Sequence, residues 1–361
     1  MVPRGRDSVT GGSRETGGAP AVGEPALRDS AAGESAAGES AAGESAGSPA
    51  VGQAARGRVV CVQGPTASGK SELAEEIALA IGGEIVSADS MQVYRGMDIG
   101  TAKVPELERR VPYHCLDLAD VGEPYSAALY QRDSRAAFSE IWGRGRTPVL
   151  CGGTGLYVDA ALSELSFPAG EQAGNPVREK WERIASEQGA DYVHGELERL
   201  DPKSAALIHP NNVRRVIRAL EMLGEGESYA ERKSRFREVG EWCPSVRIAL
   251  RLDREVLYRR IGERVDEMFE RGLEEEVRGL LGEGLAESVT ASQAIGYKEV
   301  ARAIRGECTI DGAREAVKQA TRRYAKRQMS WLSGERNIVW IDADDGITEE
   351  VVSRSLEAIG R

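Results

Sequence analysis

Gly64-Pro65-Thr66-Ala67-Ser68-Gly69-Lys70-Ser71 meets every fixed position of the phosphate-loop pattern G-x-x-x-x-G-K-[ST]. Val59-Val60-Cys61-Val62 before it reads as a short buried strand. After it, Leu73, Ala74, Ile77, Ala78 and Ile81 recur at helical spacing. Strand, glycine loop and helix start come in the order a phosphate site needs. Loop N–H groups and the positive helix end converge on an anion, Lys70 adds a point charge, and Ser71 offers a hydroxyl to Mg²⁺. The loop alone leaves open whose phosphates it holds.

Of the 361 residues, 1–56 stand apart. The pentad AAGES fills 31–35, 36–40 and 41–45, and large apolar side chains are almost absent. Such a stretch cannot bury enough surface to order, so it predicts a disordered low-complexity tail or translation from an upstream start. It lacks the apolar run of a secretory signal. The remainder supports a sizeable core plus a smaller unit. It has no run of the roughly 18 apolar residues that a membrane span needs. Cys61, Cys115, Cys151, Cys243 and Cys308 are scattered without a CxxC pair, which predicts free thiols in a reducing cytoplasm.

The net charge of −11 argues against a nucleic-acid partner, but local windows differ. Residues 203–237 carry eight Lys/Arg against four Glu, and 314–336 carry seven against two. Basic faces on an acidic protein are compatible with a localised polyanion site and equally with solvated helices.

Glu84–Ser87, Thr147–Cys151, Val246–Leu252 and Ile338–Ile341 read as further strands. Helical patterns cover Ala127–Trp142, Pro176–Glu187, Asn212–Leu223, Glu255–Arg271, Leu273–Glu283 and Ile310–Ser333. Alternation of the two predicts an α/β fold: a phosphate-loop NTPase-like parallel sheet flanked by helices, with a helical insertion domain. The expected units are a tail (1–56), a first core part (57–167), the insertion (168–241) and a second core part (242–361). Gly64–Ser71, Asp89 and Gly152–Thr154 each follow a strand, so all three should face one crevice.

Asp89 allows three readings: a Mg²⁺-linked carboxylate, a helix N-cap, or a general base beside a reacting phosphate ester. The longer run from Ser87 to Lys103, SADSMQVYRGMDIGTAK, narrows the field. With Tyr125-Ser126-Ala127, Gly152–Tyr157, Asp201-Pro202, His209–Asn212, Arg214–Glu221, Ala294–Lys298 and Thr321–Gln328, it closely resembles the tRNA dimethylallyltransferases. These matches are collinear over about 58–340.

The resemblance implies transfer of a dimethylallyl group from dimethylallyl diphosphate to the exocyclic N6 amine of an adenosine. That adenosine is the one just 3′ of the anticodon in tRNAs reading codons that begin with U. The loop would then hold the prenyl donor's diphosphate, and an ATP-binding label would describe the motif and not the substrate. Carried over, Asp89 matches the general base, Thr66 and Lys70 the loop residues on the diphosphate, and Arg264 an arginine reaching back to it. Positions implied to contact tRNA are Asp89, Ser90, Met91, Gln92, Thr154, Arg178, Arg214, Arg215, Val216, Ile217, Arg218, Gln293, Ala294, Ile295, Gly296, Tyr297 and Lys298. Arg214 and Arg218 lie at i and i+4, on one helix face suited to phosphates. The family's solution to reaching a stacked base is to flip it into a channel that the donor enters from the other end.

Mg²⁺ is the expected cofactor, the anticodon stem-loop and dimethylallyl diphosphate the expected partners, and a monomer the expected state. Ser71 stands where Thr is common in the family, and 1–56 has no counterpart there. An adenylate isopentenyltransferase shares the loop but lacks the basic insertion. A small-molecule kinase would need a nucleotide-base pocket and an arginine-bearing lid.

Overall fold

Val59–Gln63 (β1) is apolar on both sides because both sides are covered, as in buried parallel sheets. Val59 and Cys61 enter one core cluster and Val60 and Val62 the other. A computed structural model describes residues 57–167, 175–235 and 239–360. The tail 1–56 and the start of the expected insertion at 168 lie outside the described residues.

After β1 come Lys70–Ile81 (α1), Gly83–Ser87 (β2), Tyr113–His114 (β3), Ala127–Gly143 (α2), Thr147–Gly152 (β4) and Gly155–Leu162 (α3). A helical stretch follows: Pro176–Gln188 (α4), Ala190–Leu200 (α5), Pro202–Ala205 (α6), Val213–Gly224 (α7) and Tyr229–Arg235 (α8). The chain then returns through Ser245–Arg251 (β5), Arg254–Glu270 (α9), Leu273–Leu281 (α10), Tyr297–Ile304 (α11), Ile310–Leu332 (α12), Ile338–Asp342 (β6) and Glu349–Ala358 (α13).

The six strands are ordered β3-β2-β4-β1-β5-β6, and every pairing is parallel. All carboxyl ends therefore share one rim, and the chain switches direction across the sheet beside β1. The fold is the α/β parallel sheet with flanking helices that the sequence predicts.

Helices α4–α8 carry a small core of their own, built on Val193, Leu197, Ile208, Val216 and Leu220. The chain leaves and re-enters the sheet side by side: Ser163 bridges Glu241 antiparallel, and Trp242 N–H donates to Leu162 O at 2.7 Å. Cys61, Cys115, Cys151 and Cys243 are buried free thiols, and Cys308 is exposed. Burial pushes Cys61 and Cys115 up to about 12 and Cys151 to about 11. Among the described residues no helix is long and apolar enough to cross a membrane.

Candidate active site

The phosphate loop is strained where it bends. Ala67 sits at φ 63° and Gly69 at φ 91°, both in the left-handed region, which costs a non-glycine residue on the order of 1 kcal/mol or more. Gly69 ends the loop without a side-chain cap, so the first N–H groups of α1 stay open to an anion. Among the described residues, buried Ser68 Oγ has no hydrogen-bond partner.

Asp89 follows β2 and accepts from Met91 N–H at 2.9 Å, an Asx turn. Residues 90–93 form turns and Tyr94 bridges Ala119, so no helix starts after Asp89 and the N-cap reading falls away. Thr154, after β4, accepts from Ser90 N–H at 3.2 Å and so ties two strand ends together. Gln92 is spent inside the protein, between Ser87 Oγ (2.9 Å) and Thr101 O (3.2 Å).

These loops open on a cavity of about 230 Å³. Thr66, Asp89, Arg264, Thr321 and Arg327 supply its polar end, and Met91, Ile261, Val265, Met268, Ala294 and Val317 its apolar walls. α9 contributes Ile261, Arg264, Val265 and Met268 at helical spacing, and α12 contributes Val317, Thr321 and Tyr324 in the same way. The volume is several times the roughly 30 Å³ share of a water, which admits a small organic group.

Two cations, Arg264 in the lining and Lys70 close by, meet here with no ion pair among the described residues. Burial and then repulsion from Arg264 push the Lys70 ammonium below its usual range, while Asp89 pulls it back. Burial lowers Arg264 too, opposed by Asp89 and Glu267, and among the described residues its Nε has no hydrogen-bond partner. Burial and the negative charge of Asp89 raise Tyr324 to about 12. A partly buried crevice with two like charges and an orphaned guanidinium donor is chemically set for an anion.

The other expected contacts divide. Arg214, Arg215, Gln293 and Lys298 are exposed. Arg178 and Arg218 both bind the buried Glu221 carboxylate at 2.8 Å. Val216 and Ile217 require correction: they are core residues at 0% and 4% exposure, packed inward on α7, so their side chains offer nothing to a nucleic acid. Ala294, Gly296 and Tyr297 are also buried, with Ala294 and Tyr297 walling the cavity beside Ile295.

No group of three or more His, Cys, Asp or Glu able to hold a metal occurs among the described residues. The donor set near Ser71 suits only an ion that keeps waters and leans on a ligand's phosphates, which is how Mg²⁺ usually binds. Sequence reasoning gave no role to Glu276 or Gln328. Glu276 accepts from the N–H groups of Asp98, Ile99 and Gly100 at 2.7–3.1 Å and from Tyr297 Oη at 2.5 Å, fixing a cavity wall. Gln328 joins Thr66 to Gly153. Nothing local marks Glu276, whereas Gln328 lies within a matching motif.

A doubly wound parallel sheet with a phosphate loop opening on a cationic, part-apolar cavity defines a phosphate-loop enzyme for a small anionic donor with an apolar group. The chain belongs to the IPP transferase family, whose model matches residues 92–335. It is 46% identical over 287 residues to a tRNA dimethylallyltransferase of Geobacter sulfurreducens, covering 79% of this chain and 92% of that protein. A tRNA dimethylallyltransferase of Frankia alni is also 46% identical, over 78% of this chain and 96% of the relative. The crystal structure of a tRNA isopentenylpyrophosphate transferase from Bacillus halodurans superposes with a TM-score of 0.61 at 39% identity, over 84% of this chain and 96% of that one. A eukaryotic dimethylallyltransferase acting on tRNA gives a TM-score of 0.65 at 29% identity, over 79% and 73%.

Proposed function

We propose that the protein is a monomeric, cytoplasmic tRNA dimethylallyltransferase. It moves the prenyl group of dimethylallyl diphosphate to N6 of the adenosine 3′ to the anticodon, in tRNAs that read codons beginning with U. The observation that carries this reading is the meeting of Arg264 and Asp89 in one cavity with an apolar wall, close enough to Lys70 for both to shift its acidity. The diphosphate answers the two cations and the five-carbon group answers the wall.

The N6 lone pair forms a bond to C1 of the prenyl group as the C1–O bond breaks, and its electron pair leaves on the diphosphate. Asp89 takes the proton lost from the amine. Lys70, Arg264, Thr66 and the loop amides meet the negative charge that grows on the leaving oxygen. Mg²⁺, held by Ser71 and the donor's own oxygens, would add further neutralisation there. The anticodon loop is single-stranded, so extruding the adenosine costs on the order of a few kcal/mol. Arg214 and Arg215, with the other basic positions of 203–237, would grip the stem through its phosphates.

The test is incubation with labelled dimethylallyl diphosphate and bulk tRNA, AMP or ATP in parallel. Label should enter tRNA as N6-(dimethylallyl)adenosine. Label in AMP or ATP alone, or phosphate transfer from ATP, would replace this reading.

A further inference from the structure

Gln328 lies on the cavity side of α12 and is 6% exposed. Its carboxamide reaches just past the last rung of the β1–β4 ladder, where Gln63 faces Gly152. Oε1 accepts from Thr66 N–H at 2.9 Å, and Nε2 donates to Gly153 O at 3.0 Å. A backbone donor on one side and a backbone acceptor on the other fix which atom is which. The fit is close: a Cβ on Gly153 would stand 2.1 Å from Gln328 Nε2. Gly153 adjoins Thr154, whose hydroxyl oxygen receives Ser90 N–H at 3.2 Å. Ser90 adjoins Asp89. A continuous polar chain therefore runs from the phosphate loop to the loop that carries the base.

We propose that Gln328 is a positioning residue of the transfer reaction. Its carboxamide holds Thr66 in register with the Asp89 loop and so sets the distance between the leaving diphosphate and the acceptor's base. The inference rests on the prenyl-transfer reading of the site. Near neutral pH a carboxamide offers one acceptor and one donor in this orientation. Methionine offers neither, and an ionised glutamate turns two acceptors toward the Gly153 carbonyl. Misplacement by about 1 Å typically costs on the order of 100-fold in rate.

The full-length protein carrying Gln328→Met or Gln328→Glu tests this. Without substrates, hydrogen exchange at the Thr66 amide should speed up by about tenfold or more in Gln328→Met. With substrates, kcat should fall about 10- to 100-fold while the tRNA Kd stays within about twofold. In Gln328→Glu, the ratio of its kcat to that of the wild type should climb as pH falls from about 8.5 to about 5.5, because a protonated carboxyl regains the donor. Unchanged Thr66 exchange would overturn the pin whether or not the protein transfers a prenyl group. Faster exchange with wild-type kcat would overturn the role in the reaction. Parallel loss of kcat and tRNA affinity, with no recovery at low pH, would reduce Gln328 to packing.

Discussion

The crevice at the strand ends and the helical segment 175–235 both gather cations, and they treat them in opposite ways. In the crevice, Lys70 and Arg264 repel each other in a desolvated space, with Asp89 the nearby carboxylate that tempers both. In the helical segment, Arg178 and Arg218 converge on Glu221, and Arg232 and Arg235 on Glu227. Unpaired buried charge costs stability, and it persists where a ligand supplies the missing counter-charge. Paired charge on a helix surface organises side chains at little net energy. The first region is poised for a compact anion; the second presents arginines already held in place.

The sharpest way to break the contrast is Asp89→Asn. It should lower kcat by about 10²–10⁴ while leaving tRNA affinity near wild type. Retention of more than about a tenth of the wild-type turnover would take Asp89 out of the base role. Next, Arg264→Met should lower kcat/KM for the donor by about 10- to 100-fold, the weight of one charge-assisted contact. In the ligand-free protein the same change should raise Tm, because a repulsion disappears. A lower Tm would mean that Arg264 is structural and the crevice is not strained by charge.

The helical segment gives smaller effects. Arg214→Ala should flatten the log–log salt dependence of tRNA binding by somewhat less than about one unit. Arg218→Ala should flatten it less, since Glu221 already neutralises that guanidinium. Equal slopes for the two variants would show that the Glu221 pairing dissolves on binding. Smallest is the effect of Asp159 on α3, whose carboxyl burial and then Glu335 raise to about 7. A folded pKa above the unfolded value of 3.8 means that stability falls as pH rises between the two. Asp159→Asn should therefore gain Tm over wild type progressively from about pH 4 to about pH 7 and level off above, by about 2–4 °C for each kcal/mol relieved. A constant difference across that range would show that Asp159 titrates normally.

The sheet was legible because each strand is a short apolar run between turn residues, and the phosphate loop because its chemistry is local. Tyr113–His114 escaped notice, being a two-residue edge strand with no period to read. Helix α3 was hidden by its own entry, since Gly152–Gly155 reads as a loop while the helix begins at Gly155. At the site, the strand end pointed to Asp89 but left three readings open, and the roles of Asp89 and Thr66 came from the collinear motifs. Glu276 and Gln328 act across 176 and 262 residues of chain respectively, and only packing brings them there. Val216 and Ile217 show the opposite error. A motif read as an unbroken run gave one role to residues that α7 turns toward the core and to neighbours it turns outward.

The burial of four thiols has a practical side. Cys61, Cys115, Cys151 and Cys243 are shut away, and the three whose acidity is resolved as shifted, Cys61, Cys115 and Cys151, are all far less acidic than a free thiol. Alkylating reagents act on thiolates, so near neutral pH they should find Cys308 first. That residue sits between α11 and α12, outside the lining of the cavity. The native chain thus carries a built-in attachment point at which a single dye could follow tRNA arriving, with no cysteine engineered away.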